Sequence, residues 1–253
     1  MNGLLASRQP RRLVALACAI AGFATAAHAY RPFDGTDASV AEQGTFELEA
    51  GVGRTRIGDV DDLAIPQAVF NFGLPRDTEF VVEGQFDREL GGHVDGSRNS
   101  LGDTQFSFKH VFVKGSLQDG GTGVSVASEC AVLLPEVHGS KGTGGDCAAI
   151  VSNKWDELAL HLNAGIGRTR EHETARTVDL IAEGSDKWTL RPVSELLAER
   201  DSGGVRLNSV LLGAIWQHRD DLAFDLAFRH AHTNDQSFSE IRLGLTWTLA
   251  RVE

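Results

Sequence analysis

Residues Glu157-Leu-Ala-Leu-His-Leu-Asn-Ala-Gly-Ile-Gly167 alternate in character. Leu158, Leu160, Leu162, Ala164 and Ile166 share one parity, while Ala159, His161, Asn163, Gly165 and Gly167 share the other. Successive side chains of a β-strand point to opposite faces, so this stretch is a strand with one apolar and one polar face. A helix would need apolar residues at i, i+3 and i+4, and the stretch does not supply them. The same alternation returns in Leu222-Ala-Phe-Asp-Leu-Ala-Phe-Arg229 and Ile241-Arg-Leu-Gly-Leu-Thr-Trp-Thr-Leu249, and again from Thr45 to Gly53 and from Phe80 to Asp87.

Clusters of Gly, Pro, Asn and Asp mark the turns. They divide the chain into roughly twelve strands, near 45–53, 64–73, 79–88, 103–113, 123–134, 146–154, 157–170, 176–184, 188–199, 205–217, 222–231 and 238–250. Tight connections at Pro75-Arg76-Asp77-Thr78, Lys154-Trp155-Asp156, Ser185-Asp186-Lys187 and Arg219-Asp220-Asp221 alternate with longer loops at 54–63, 88–103, 135–145, 170–176, 200–204 and 231–237. One segment, 114–122, falls where a short turn belongs and is too long for one. Short turns at one end and long loops at the other describe an all-β fold. The expected fold is a single antiparallel up-and-down transmembrane β-barrel of an outer membrane, with both termini periplasmic. Tilted strands of this length suit a bilayer, and closure removes the edges that lipid cannot tolerate.

Residues 1–29 have the form of a cleaved secretory signal peptide. A basic start (Arg8, Arg11, Arg12) precedes an apolar run from Leu13 to Ala27 and the small-x-small site Ala27-His28-Ala29. Residues 30–44 are then a periplasmic N-terminal segment, and 45–253 the barrel. Of 24 Lys+Arg and 35 Asp+Glu, three arginines leave with the signal, so the mature chain carries −14. A nucleic-acid partner is excluded by that charge, because phosphate binding needs a basic face. The expected partners are outer-membrane lipid and lipopolysaccharide, the outer-membrane assembly machinery and a small solute. The location is the outer membrane of a Gram-negative bacterium.

Trp155, Trp188, Trp216 and Trp247, with Phe72, Phe80 and Phe112, all fall at the short-turn end, as an interfacial aromatic girdle would. Cys130 and Cys147 lie symmetrically about the loop centre near 138–139. In an oxidising compartment they can form a cross-strand disulfide worth roughly 3 kcal/mol; the alternative is two buried thiols.

Several short words resemble a known family, the outer-membrane transporters grouped as the meta-pathway phenol-degradation family. They are Cys130-Ala-Val-Leu-Leu-Pro135 leading into Gly139-Ser-Lys-Gly-Thr-Gly-Gly145, then Ser152-Asn-Lys-Trp155, Leu158 to Gly167, Asp221 to Phe228, and Arg242-Leu-Gly-Leu-Thr-Trp247. The resemblance implies a barrel of about twelve strands that passes small molecules, hydrophobic or aromatic ones among them, across the outer membrane. Three features depart from it: Glu136-Val137 follows Leu134-Pro135 where the family has Thr-Gly, tyrosine occurs once, and the chain ends on Glu253 rather than an aromatic residue.

With the apolar parity facing lipid, the opposite parity lines the lumen. It carries the acids Glu47, Glu49, Glu83, Asp87, Glu129, Asp179, Glu183, Glu195, Asp225 and Glu240, and the bases Lys109, Arg191, Arg206, Arg229 and Arg242. Arg229 with Glu240, and Asp225 with Arg242, are expected as facing pairs, since an unpaired buried charge is costly. Arg206 and Asn208 share their parity with Val210, Leu212 and Trp216, so the inward placement of Arg206 requires a bulge or a register slip. Such a lumen either conducts cations and neutral solutes passively or is plugged by its own salt bridges. A soluble lipophile-binding barrel, apolar inside, is the third reading.

Catalysis and metal binding find little support. His138-Gly139-Ser140 lacks a third group and sits in a Gly-rich loop. His230 and His232 share a strand face without a further ligand and read as a polar rim, and a zinc site at His138 also lacks ligands. Asp59-Val60-Asp61-Asp62 matches no calcium loop. No enzyme activity, metal or cofactor is expected.

Overall fold

In a computed structural model, residues 31–58, 60–91, 99–118, 120–234 and 236–251 are described. The expected signal peptide (residues 1–29), Asp59 and Glu253 lie outside them. The strands are β1 (Thr45–Ile57), β2 (Val60–Leu74), β3 (Thr78–Gly91), β4 (Asn99–Val113), β5 (Ser125–Leu133), β6 (Gly144–Lys154), β7 (Leu158–Arg168), β8 (Thr174–Gly184), β9 (Leu190–Asp201), β10 (Arg206–Arg219), β11 (Leu222–Thr233) and β12 (Gln236–Arg251). Each pairs antiparallel with its sequence neighbours, and β1 pairs with β12, so the sheet closes into a barrel. Among the described residues there is no helix.

The polarity of a water-soluble core is inverted. Ile166, Val178, Leu196, Leu212, Leu226, Phe228, Ile241 and Leu243 are all about half exposed on the outer wall, whereas Glu49, Lys109, Asp179 and Glu195 are each 1% exposed within it. This arrangement follows from strict alternation on strands whose outer face meets hydrocarbon. It also rules out the soluble barrel with an apolar interior.

Two expectations about connections change. The loops expected at 54–63 and 231–237 are mostly strand: β1 and β2 meet at Gly58 (φ +57°), and β11 and β12 meet at Asn234 (φ 42°). Arg54, Arg56, Asp61 and His232 are polar but keep the ladder, so the strands continue beyond the apolar band. The overlong segment after β4 folds inward. Gly115 is buried, the Ser116 amide donates to the Gly123 carbonyl (2.8 Å), and the Lys154 amide donates to Ser116 Oγ (2.7 Å). It caps the short-turn mouth.

Cys130 and Cys147 are register partners on β5 and β6 and form a disulfide with Cα atoms 4.1 Å apart. Both are exposed on the outer wall rather than buried. Trp155, Trp188, Trp216, Trp247 and Phe112 are exposed near the short-turn end, and Phe72 and Phe80 stand opposite each other there, half-buried.

Candidate functional site

The lumen is shaped by a segment that no strand periodicity announced. Residues 31–44, expected as a periplasmic segment, run inside the barrel. They leave β1 at Thr45, whose amide donates to the Glu42 carbonyl (2.8 Å), while the Gly44 amide donates to Gly73 on β2 (2.8 Å). Successive amides then find acceptors on the inner wall. Ala41 donates to Glu79 Oε2 (2.5 Å) and Ala38 to Ser152 Oγ (3.0 Å). Asp34 and Gly35 both donate to Glu195 Oε1 (2.8 Å each). Asn163 is bonded twice to Thr36, accepting from its amide (3.3 Å) and donating to its carbonyl (2.9 Å). An irregular chain inside a barrel has no ladder partners of its own, so wall side chains satisfy it.

Charged contacts fix the far end. Asp34 bridges Arg229 (2.9 Å) and Arg242 (2.8 Å), and both arginines also pair with Glu240 (3.7 and 2.9 Å). Partial removal of Asp34 from water would raise its carboxyl pKa, but Arg242 and Arg229 outweigh this and hold it below the ordinary aspartate value. Arg31 pairs with Asp225 (3.4 Å), and Lys109 with Asp37 (3.4 Å). Apolar anchors complete the fit. Ala38 and Val40 pack on Val111, Ala127 and Ile150, and Phe33 packs on Val193, Ile215 and Ala223.

Of the lumen residues expected from parity, fourteen face inward. Glu47, Glu49, Lys109, Asp179, Arg191, Glu195, Asp225, Arg229, Glu240 and Arg242 are buried, and Glu83, Asp87, Glu129 and Glu183 line internal cavities. Arg206 is the exception: it faces outward, not into the lumen. β10 pairs with β9 without interruption from Arg206 to Trp216, so there is no bulge to turn it inward, and it is exposed on the outer wall with Val210 and Leu212. Arg229 does face Glu240 in register, but Asp225 lies opposite Gly244 and takes Arg31 as its partner instead. Lumen residues outside the expected set include Glu79, Asn71, Asp103, Asp146, Glu199 and the segment's own Arg31, Asp34 and Asp37. Glu79 shares the parity of Glu83 and was legible; the segment was not.

Two cavities, of about 750 and 570 Å³, lie beside residues 31–36; the larger opens toward the long loops past Asp103, Asp146 and Glu199 and reaches down to Asn71 and Glu79. The larger is bounded by Glu83, Glu129, Asp146 and Glu199, none of which has a cationic partner among the described residues. Of the cations that line it, Arg229 is engaged by Asp34 and Glu240, Arg31 by Asp225, and Arg168 donates to the His172 carbonyl, so the vestibule's acids outnumber its cations. At the opposite end only about 40 Å³ remains, between Asp37, Leu117, His161 and Arg191. Gln118 Nε2 donates to the Ala38 carbonyl (2.8 Å), joining the inward loop to the segment. The lumen is therefore open toward the long loops and shut at the short turns.

His230 and His232 lie on the outer wall, bonded to Ser239 and Ser237 (3.0 Å each). In the loop of His138, the Ser140 amide donates to Glu136 (3.0 Å). Among the described residues, no group of three or more His, Cys, Asp or Glu is arranged to hold a metal.

Comparison with solved structures places this architecture. It is similar to the NanC porin, with a TM-score of 0.58 and 10% identity over 80% of this chain and 100% of that chain. What the two share is the closed antiparallel β-barrel fold. A KdgM porin solved in complex with disordered oligogalacturonate is similar too, with a TM-score of 0.51 and 11% identity over 80% of this chain and 99% of that one. At such identities the likeness concerns the fold. No protein-family model and no curated protein matches the sequence.

Proposed function

We propose that the protein is a passive channel for small solutes in the outer membrane of a Gram-negative bacterium, exported by a cleaved leader and closed at rest by its own residues 31–44. The observation that carries this reading is the pairing of an apolar outer wall with a water-accessible acidic vestibule of about 750 Å³ above a non-covalent stopper. Such a lining favours cations and neutral solutes over anions. The resemblance of its short motifs to those of the phenol-degradation transporters is what points to hydrophobic or aromatic molecules as cargo.

A second reading is favoured by the density of contacts on the segment: a permanently occluded barrel with a structural role. Recording from planar bilayers distinguishes them. A gated channel is silent or flickering as full-length mature protein and conducts steadily once residues 31–43 are deleted. A correctly folded deletion variant that stays silent would overturn the channel.

A further inference from the structure

The misassigned Arg206 belongs to a group. Arg176 on β8, Arg200 on β9 and Arg206 on β10 are direct register partners, Arg176 opposite Arg200 and Arg200 opposite Arg206. All three are exposed on the outer wall, on the side of the long loops. Like charges directly opposite one another destabilise a sheet. Here three stand in a row, in a chain of strongly acidic composition. Acids do not relieve them. Asp179, Glu183, Glu195, Glu199 and Asp201 of the same strands have the opposite parity, and none of the three arginines has a carboxylate partner among the described residues.

Height decides what can. Directly beneath the row come Val178, Ala198 and Asn208, then the apolar partners Leu180, Leu196 and Val210. Trp216 marks the other end of the belt on β10. Ten residues separate Arg206 from Trp216, roughly 33 Å along the strand at about 3.3 Å per residue. A tilt of about 40° reduces that to about 25 Å along the barrel axis, the usual height of the apolar band. The arginines therefore sit at the headgroup level of the leaflet on the long-loop side.

We infer that Arg176, Arg200 and Arg206 form a docking surface for the phosphorylated glucosamine headgroup of the outer-leaflet glycolipid, lipid A. Guanidinium forks match phosphate oxygens two at a time, and an anion between three cations converts their repulsion into attraction. The inference rests on the outer-membrane reading above and adds the lipid chemistry that reading lacks.

The test uses refolded protein in phosphatidylcholine vesicles containing bisphosphorylated lipid A, phosphate-stripped lipid A or phosphatidylglycerol, with unfolding followed by heat-modifiability on gels. Bisphosphorylated lipid A raises the unfolding midpoint and the stripped form does not. In detergent, the variant Arg176→Gln/Arg200→Gln/Arg206→Gln binds fluorescent bisphosphorylated lipid A roughly ten-fold or more weakly than the parent. It also unfolds no more readily than the parent when lipid A is absent, because the repulsion has gone. Should the triple variant not refold, Arg200→Gln alone removes the central member and carries the same expectation in smaller measure. Equal stabilisation by stripped lipid A, full stabilisation by phosphatidylglycerol, or unchanged binding by the variants would each overturn the assignment while leaving the channel reading intact. Failure to enter any vesicle would remove both.

Discussion

Substituting Asp34 by alanine should unlatch the segment that shuts the lumen. Its carboxylate makes a 2.9 Å contact with Arg229 and a 2.8 Å contact with Arg242, from a side chain 24% exposed toward the vestibule. Charge-assisted hydrogen bonds contribute about 1.5–3 kcal/mol each, and solvent access argues for the lower end. Loss of both weakens docking by about 2–3 kcal/mol, partly offset because Glu240 still faces the two arginines. At about 1.4 kcal/mol per decade, the undocked population rises about 30- to 150-fold. The barrel itself should tolerate the change, since Asp34 belongs to no strand and contributes nothing to the ladder. Single-channel recording measures the effect as open probability, with heat-modifiability confirming an intact barrel. An Asp34→Ala protein that folds normally and opens no more often than the parent would refute the idea that these ion pairs hold the channel shut.

Four other outcomes follow from the same geometry. Gly35→Ala should also open the channel, because a Cβ there would overlap Asp179 Oδ2 and lie 2.8 Å from its carboxyl carbon; unaltered gating would mean the segment does not pass this wall. Acidification should loosen docking. The pKa of Asp34 is lowered in the folded state, so its contribution is complete above the unfolded value of about 3.9 and disappears as pH falls through the folded one. Comparing conductance of the parent with Asp34→Asn across that range isolates this residue, since Arg229, Arg242, Glu240, Glu195 and Asp179 around it are common to both; identical pH profiles would count against it. Glu129→Lys should move ion preference toward anions in an opened barrel, whereas Asp225→Lys should chiefly release Arg31, so reversal potential must respond to the first. Reduction of Cys130–Cys147 should lower stability by roughly 3 kcal/mol through loop entropy yet leave conductance unchanged, because the bridge lies on the outer wall; a changed single-channel current would contradict that placement.

The wall was readable because a barrel strand obeys one local rule. Glu157 to Gly167 alternates without interruption, and its parity alone places His161 and Asn163 inside. Cys130 and Cys147 became partners by counting outward from the turn. Arg206 was misjudged because its charge was allowed to outrank parity. The parity was right: at the headgroup level of an outer wall an arginine is not buried, so no bulge is needed to rescue it. Strand ends failed for a related reason. Polar residues such as Arg54 and Asp62 look like loop, but a ladder extends past the hydrocarbon wherever cross-strand hydrogen bonds continue.

The stopper has no periodicity of its own, yet the wall records its presence. Strict alternation predicts polar inward residues at every level. It is broken near the short turns at Val111, Ala127, Ile150, Val193, Ile215 and Ala223, and also farther along the wall at Leu197, Leu211, Ala227 and Ala231. A water-filled channel has no use for apolar side chains there, since leaving them wetted forfeits about 25 cal/mol per Å² of burial. They make sense if something covers them, and Ala38, Val40 and Phe33 do. The overlong segment at 114–122 belongs to the same logic, because its Gln118 holds the Ala38 carbonyl. In this barrel, then, the inward apolar positions nearest the short turns, together with an overlong turn at that mouth, mark where the internal stopper docks. Replacing Ile150 by Asn tests the rule directly. It leaves the outer face untouched and removes apolar support under Ala38, so it should raise open probability without altering insertion, and an unchanged closed state would show that these positions serve the wall alone.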